Sequence, residues 1–233
     1  MKQILLPDNN ERSLAFYLAM EEYVAKEMEG ESFFVWRVEP TVIIGRNQVL
    51  ENEVNMPYCT EHGVQLVRRR SGGGCVYSDK GNIMISYVSE RGDVAAVFDR
   101  YMSALAALLC DLGLPAVKSA RNDILVDGRK VSGNAFQQLP RKSIVHGTML
   151  YSTNLEALTE AIRPPVEKLQ RHGVESVRQR VVNLEEYKDV HPVLESVESL
   201  EKYIIEAFTD EAVILTAEQV MEIERQAEPY IIR

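Results

Sequence analysis

The chain has 233 residues, 45% of them hydrophobic and 26% charged, with a formal net charge of −9 at pH 7. That is ordinary globular composition, long enough to bury a sizeable core. The acidic balance excludes a general nucleic-acid binder, which needs a broad cationic face. Cys59, Cys75 and Cys110 are odd in number and form no CxxC pair, which excludes a disulfide framework or structural zinc site and fits a reducing compartment. No stretch approaches the roughly 20 apolar residues of a membrane span, and the N-terminal "MKQILLPDNNERS" has too short an apolar run for a signal peptide. The expectation is a cytoplasmic protein that engages neither membrane nor nucleic acid. Its positive charge is local, at Arg68–Arg70, Arg121, Arg129–Lys130 and Arg141–Lys142. Clusters of that size suit a phosphate-bearing small molecule.

In chain order, residues 11–28 have helical periodicity, with Asn10 placed to cap them. "SFFVWRVE" and "TVIIG" read as strands separated at Pro40, and "NMPYCTEHG" as a short helix ending at Gly63. "VQLVRRR", "CVYS" and "NIMISYVS" read as strands, with "SGGG" and "DKGN" as turns. The clearest helix is 95–112, where Val97, Tyr101, Leu105, Leu108, Leu109 and Leu112 share one face and Gly113 stops it. "AVKS", "NDILVDGRKVSGNAFQQ" and "KSIVHGTMLYS" predict an antiparallel meander with a hairpin turn at Asp127-Gly128. A helix over "NLEALTEAIRP" is broken at Pro164-Pro165, and the last forty or so residues read as two acidic helices. Hairpin-grouped strands with helices between the groups predict an α+β fold, a mixed or antiparallel sheet flanked by helices. With no linker-like stretch, the expectation is one domain over 1–233, with a core of about 1–187 and a helical flank of about 188–233.

Several constellations carry candidate chemistry. Three consecutive glycines, Gly72 to Gly74, cost chain entropy and let a backbone approach a ligand with its N–H groups free. The pattern is neither a P-loop nor GxGxxG before a helix, and on local grounds a ligand loop and a tight hairpin both fit it. On a strand, Arg68 to Arg70 alternate faces, so at most two reach a common site. Lys130 lies on a short strand between Gly128 and Gly133. A surface lysine is the ordinary reading, and a point charge aimed into a cleft to hold phosphate and carboxylate together is the functional one. His146 in "VHGT" reads alone as a hydrogen-bonded structural histidine. Asp123 suits an Asx turn or Mg²⁺. Cys75 reads as a small buried hydrophobe more readily than as a nucleophile.

Taken together, "GRNQ" with "EVN", "VRRRSGGGCVYSDKGN", "RNDILVDGRKVSGNAF", "HGTMLYSTNLEAL" and "GVESVRQRVVNL" resemble the lipoate–protein ligase A family over about residues 34–184. The resemblance implies a biotin/lipoate-ligase-like catalytic domain, related to class II synthetases, that activates lipoate with ATP and Mg²⁺ to lipoyl-AMP. The lipoyl group then passes to a lysine of apo lipoyl-carrier domains, such as those of 2-oxoacid dehydrogenase E2 subunits and the glycine-cleavage H protein. It implies nucleotide or adenylate contacts at Arg69, Ser71, Gly72, Gly73, Gly74, Cys75, Val76, Tyr77, Asn82 and Lys130. Lipoate contacts are implied at Arg69, Gly74, Lys130, Gly133 and His146, with Lys130 as the catalytic residue and Asp123 as the metal ligand. Cys75 serves there through its backbone.

The chain departs from the family at Ser78, where a histidine is usual, and at Gln137, where some members carry arginine. It also stops near where many ligases begin a small accessory domain. The expectation is that a separate accessory polypeptide supplies that function or that the chain only transfers a pre-made adenylate. Two other readings are a lipoyl or octanoyl transferase acting through a cysteine thioester, and a non-catalytic lipoate or nucleotide binder. The first wants a cysteine beyond the lysine motif, and the last one here is Cys110. The second has no need for acyl and phosphate contacts together.

Overall fold

A computed structural model of the protein describes residues 1–162 and 180–232. Eleven strands among them form two sheets. The larger contains β1 (Lys2–Leu5), β2 (Ser32–Trp36), β6 (Asn82–Glu90), β7 (Ala116–Lys118), β8 (Asp123–Val126), β9 (Arg129–Gln138), β10 (Lys142–Leu150) and β11 (Glu211–Ile214), in the order β11-β1-β2-β6-β10-β9-β8-β7. Its β1–β11 and β1–β2 pairs are parallel and the rest antiparallel, so the sheet is mixed, as the sequence predicts. The smaller sheet places β3 (Thr41–Ile44) between β4 (Gln65–Arg68) and β5 (Val76–Ser78).

Strand alternation gives the large sheet two apolar faces. Phe33, Tyr87 and Val145 point to one, where α4 (Val94–Asp111) lies with its stripe of Val97, Tyr101, Leu105 and Leu109. Asp93 caps that helix by accepting from the Ala96 N–H at 2.9 Å, and Gly113 takes a positive φ of 81° just past its end. Phe34, Val88 and Ile144 point to the other face, against α1 (Leu14–Glu27). α1 is buried nearly all round because α7 (Ala217–Ala227) covers its far side. Its cap is Ser13, whose Oγ accepts from the Phe16 N–H; the expected cap, Asn10, is instead turned back onto Asp8. Two short helices, α2 (Leu50–Glu53) and α3 (Met56–Glu61), follow β3, and α5 (Leu155–Ala161) packs with α3 beside the small sheet.

The meander forms as predicted. Asp127 and Gly128 both have positive φ (50° and 74°), the type I′ geometry that joins β8 to β9. Two local readings are corrected. "SGGG" is not a tight hairpin, because β4 and β5 do not pair; β3 lies between them, and Arg69 and Arg70 fall beyond the end of β4. The C-terminal segment is not purely helical. Between α6 (Val197–Phe208) and α7, β11 pairs with β1 in the register Lys2↔Glu211, so the two ends of the chain share the sheet. The Pro164-Pro165 break and residues 173–179 of the "GVESVRQR" motif lie outside the described residues.

Gly81 packs where a side chain does not fit: a Cβ there overlaps the Ser152 carbonyl and comes within 2.7 Å of the Thr153 nitrogen, whereas one at Gly72 meets nothing within 4 Å. Gly81→Ala is therefore expected to cost about 1–3 kcal/mol, read as a fall in Tm of about 2–4 °C per kcal/mol. Gly72→Ala should change stability by less than about 0.5 kcal/mol. Equal melting temperatures for the two variants would contradict this packing.

Candidate active site

A cavity of about 720 Å³ opens between the two sheets. Its inner wall is apolar, with Leu18 from α1, Trp36, Ile43, Met84 and Leu150. Arg69, Gly73, Gly74, Cys75, Val76 and Tyr77 line one side, and Asp123, Lys130, Gly133 and His146 the other. The structure thus brings together most of the residues singled out in two stretches of sequence some fifty residues apart.

Ser71, Gly72 and Asn82 do not line it. Asn82 is fully buried in β6, where its amide donates to Ser78 Oγ and its carbonyl accepts from the Met149 N–H, so it pins the sheet. Ser71 and Gly72 act on the loop itself.

Arg69 is 5% exposed, and its guanidinium is committed to backbone carbonyls. Nε and Nη2 donate to Gly72 O at 3.1 and 2.8 Å, Nη2 donates to Gly74 O at 2.7 Å, and Nη1 reaches Ile43 O at 3.5 Å. Burial pulls its pKa down to about 10, offset in part by Cys75, so it stays charged at neutral pH. A peptide plane sets its C=O and N–H on opposite edges. With the Gly72 and Gly74 carbonyls turned to Arg69, the Gly73 and Cys75 N–H groups point away from it, as an anion-binding loop requires. Gly73 takes φ 96°, and a Cβ there would sit 2.8 Å from Arg69 Nη2, which explains the glycine.

A second loop braces the first. Arg46 N–H donates to Ser71 O at 3.1 Å, and the Arg68 guanidinium holds Gly45 O and Gln48 O at 3.1 and 2.8 Å. Across the cavity, Lys130 Nζ lies 2.7 Å from Asp123 Oδ1. The Lys130 carbonyl accepts from the Val182 N–H at 2.9 Å, which fixes its backbone.

His146 is tied at both nitrogens, Nδ1 at 2.8 Å from Glu21 Oε2 and Nε2 at 2.7 Å from Ser71 Oγ. Glu21 Oε1 accepts from Ser86 Oγ at 2.6 Å, and that hydroxyl accepts from Trp36 Nε1 at 2.9 Å. This buried chain links the apolar wall to the glycine loop. Glu21 was absent from the sequence expectations; its one signal was a carboxylate in the apolar stripe of the first helix. Gln137, the position that departs from the resemblance, donates to Glu22 at 3.2 Å, and Glu22 also takes Arg70.

The family model of the lipoyl protein ligase A/B catalytic domain matches residues 13–209. The chain belongs to this family. It is 37% identical over 175 residues to lipoate-protein ligase LplJ of Bacillus subtilis, an alignment that covers 74% of this chain and 53% of that protein. It is 36% identical over 185 residues to lipoate–protein ligase 1 of Staphylococcus aureus, covering 78% and 56%. The chain therefore spans about half the length of these curated relatives. Among solved structures it resembles a bi-partite lipoate protein ligase from Thermoplasma acidophilum, with a TM-score of 0.82, 26% identity, and 97% and 91% of the two chains covered. A lipoate-protein ligase A bound with ATP has the same fold, at a TM-score of 0.81 and 24% identity over 97% of this chain and 94% of that one.

Of the family's cavity residues, Cys75 carries a testable electrostatic signature: burial pushes its thiol up to about 12, with Glu53 adding to the shift and Arg69 opposing it. Near neutral pH it is a thiol and a poor nucleophile. Iodoacetamide should label the exposed Cys110 first and leave Cys75 unmodified until strongly alkaline pH, as read by peptide mapping. Labelling of Cys75 at the rate of Cys110 would refute this environment.

Proposed function

We propose that the protein is an ATP-dependent lipoate–protein ligase, acting in the cytoplasm as one catalytic domain over 1–233. It forms lipoyl-AMP from lipoate and ATP and passes the lipoyl group to a lysine of an apo carrier domain. The observation that carries this reading is the meeting, in one cavity, of an apolar wall, a glycine loop and Lys130. The wall suits an eight-carbon acyl chain, the loop a phosphate, and the lysine the point where the two join.

In this reading the lipoate carboxylate attacks the α-phosphorus and pyrophosphate leaves with the bonding electrons. Two anions approach each other, and the Lys130 ammonium offsets their repulsion and the charge gathering in the transition state. In the second step the carrier amine attacks the acyl carbonyl and AMP leaves, with Lys130 beside the tetrahedral oxyanion. Arg69 contributes indirectly, by turning the loop carbonyls inward. His146, Glu21 and Ser71 hold that loop against the acyl wall. Mg²⁺ fits the donor set, since it takes one or two carboxylates and draws its other ligands from phosphates and water. Asp123 is that carboxylate, and the bound ion would supply further charge neutralisation at the phosphates.

Cys75, a thiol near neutral pH, speaks against the thioester alternative. The bi-partite archaeal relative is similar over nearly the whole of both chains, which supports a separate accessory polypeptide as partner. The direct test incubates the protein with lipoate, ATP, Mg²⁺ and an apo carrier domain, with and without supplied lipoyl-AMP. Release of pyrophosphate with a lipoyl adduct on a carrier lysine supports the ligase. Adduct formation from lipoyl-AMP alone reduces the reading to transfer, and no adduct in either arm rejects it.

Lys130→Ala is expected to lower both half-reactions by about 10²–10³-fold, the scale of losing an oxyanion-hole donor, with circular dichroism unchanged. A folded variant retaining a tenth of the activity would remove Lys130 from this role. Gly133→Ala tests the same point by position alone: a Cβ there overlaps the Lys130 ammonium and its Cε, both at the end of a flexible side chain. The variant should fold with Tm near that of the parent and lose at least about tenfold in kcat/KM, the scale of a catalytic group displaced by 1 Å or less. Full activity in that variant would show that Lys130 works from another position.

A further inference from the structure

Three consecutive residues lead from the end of β4 into the glycines, and the side chain of each is tied to a different place. Arg69 turns to the loop's own carbonyls, and Ser71 Oγ bonds His146 Nε2 at 2.7 Å. Arg70, between them, reaches α1 instead. Its Nη1 meets Glu22 Oε2 at 2.5 Å, and its guanidinium lies over the Tyr230 ring, 4.9 Å from the centre.

Both partners are themselves fixed. Glu22 is buried on α1, where Oε1 accepts from Gln137 Nε2 of β9 at 3.2 Å and Oε2 also accepts from Lys26 at 3.2 Å. Tyr230, 3% exposed, donates to the same carboxylate. It closes a 3-10 turn at Glu228–Tyr230 after α7, and the backbone beyond it runs along β4. Ile231 forms a bridge with Val67, and Ile232 N–H donates to Leu66 O at 3.0 Å. Residues 230–232 therefore grip the approach to the loop twice, along the β4 backbone and through the Arg70 side chain.

The charge of Glu22 does not by itself call for a cation from the loop. Lys26 already meets it, and Gln137 donates to it from a strand, so a cation at position 137 would serve it as well. Fixing a long, half-exposed arginine also costs rotamer entropy. What Arg70 adds is a tether: the charge that satisfies a buried carboxylate is carried by the backbone that must hold Arg69 and Ser71 in place.

We propose that Arg70, held by Glu22 and Tyr230, is a positioning residue that sets the glycine loop for the activation step. The proposal rests on the ligase reading. The loop's N–H groups act on charge that develops as lipoate meets the α-phosphate, so a loop free to shift loses alignment in the transition state. Lipoate binding relies on the apolar wall and suffers less. The loss should thus fall on kcat and spare the KM for lipoate.

The experiment compares Arg70→Ala, Arg70→Lys, Tyr230→Phe, Tyr230→Ala and the pair Arg70→Ala/Gln137→Arg with the parent protein. Activation is followed by lipoate-dependent ATP–pyrophosphate exchange. Arg70→Ala should lower kcat by about tenfold or more, the scale of a catalytic group displaced by 1 Å or less, with little change in the KM for lipoate. Tyr230→Phe keeps the ring under Arg70 and should lose less than Tyr230→Ala. Arg70→Lys keeps a cation on the loop and should recover part of the loss. The pair decides between tether and charge. It returns a cation to Glu22 from β9, so the Tm lost in Arg70→Ala should recover while kcat stays low. Hydrogen exchange of the peptide spanning 69–76, read by mass spectrometry on the protein alone, needs no turnover. It should quicken in Arg70→Ala and in the pair, with peptides of α4 unchanged. Arg70→Gln serves where the alanine variant does not fold.

Loop exchange as slow in Arg70→Ala as in the parent overturns the proposal, whatever the activity. Recovery of kcat in the pair overturns it as well, since Arg70 then does no more than neutralise Glu22. Faster loop exchange with normal activation, in a parent that forms lipoyl-AMP, removes the positioning role and leaves the ligase reading intact. Faster loop exchange in the variants of a parent that never forms lipoyl-AMP keeps the tether and rejects the ligase reading.

Discussion

The Arg69 guanidinium is buried, charged and bonded to the carbonyls of Gly72, Gly74 and Ile43. A cation removed from water is tolerable only when its donors are satisfied, and here the acceptors are the backbone of the loop that faces the cavity. Satisfying the charge and shaping the loop are therefore one act. The glycines follow from it. Gly73 must take a positive φ with Arg69 against its Cα, and Gly45 must lack a Cβ because the Gly73 carbonyl occupies that space. Substitutions around the loop should be read first as changes in how Arg69 is paired.

One turn of α1 holds both flanks of this loop. Glu21 reaches Ser71 through His146, and its neighbour Glu22 takes Arg70, Gln137 and Lys26. Burial of Glu22 favours its neutral form, yet its pKa lies below the ordinary carboxylate range, because hydrogen bonds from Tyr230 and Gln137 and the Arg70 charge outweigh burial. Tyr230 also lies under the Arg70 guanidinium, 4.9 Å from ring centre to carbon, and the residues after it run along β4, with Ile232 N–H donating to Leu66 O at 3.0 Å. Two consecutive glutamates on a buried helix thus couple the loop to β10 on one side and to the C-terminal segment on the other.

What was legible in the sequence was local. The α4 stripe, the Asp127-Gly128 turn and the strands around Lys130 each carry their signal within a few residues, and each formed where expected. The β1–β11 pair joins residues some 209 positions apart through four-residue strands, so no turn or periodicity announces it. The insertion of β3 between β4 and β5 is hidden in the same way, and it turned an apparent hairpin into a cavity wall. At the site, resemblance pointed to Arg69, Ser71, Gly72, Gly74 and His146 as separate ligand contacts but not to the bonds that join them, nor to Glu21. The bonds run to backbone carbonyls of the loop and to a glutamate 125 residues from His146, which no motif records.

Lys130 shows how a fixed site can still allow an exchange of partners. Its main chain is held on two sides, by pairing with Leu125 across a β-bulge and by the Val182 N–H. Among the described residues its ammonium is held by Asp123 alone, and it keeps 36% of its side-chain surface exposed. A pair that open to water is worth about 0–1 kcal/mol, so in the proposed reaction an incoming phosphate would displace Asp123 at little cost while the backbone stays in place. Gly133 supplies the room, since any side chain there would occupy the volume the ammonium now fills. An arginine, planar and more branched at its tip, would not share that volume. The site therefore calls for a compact point charge on a flexible stem, set on a strand that does not move.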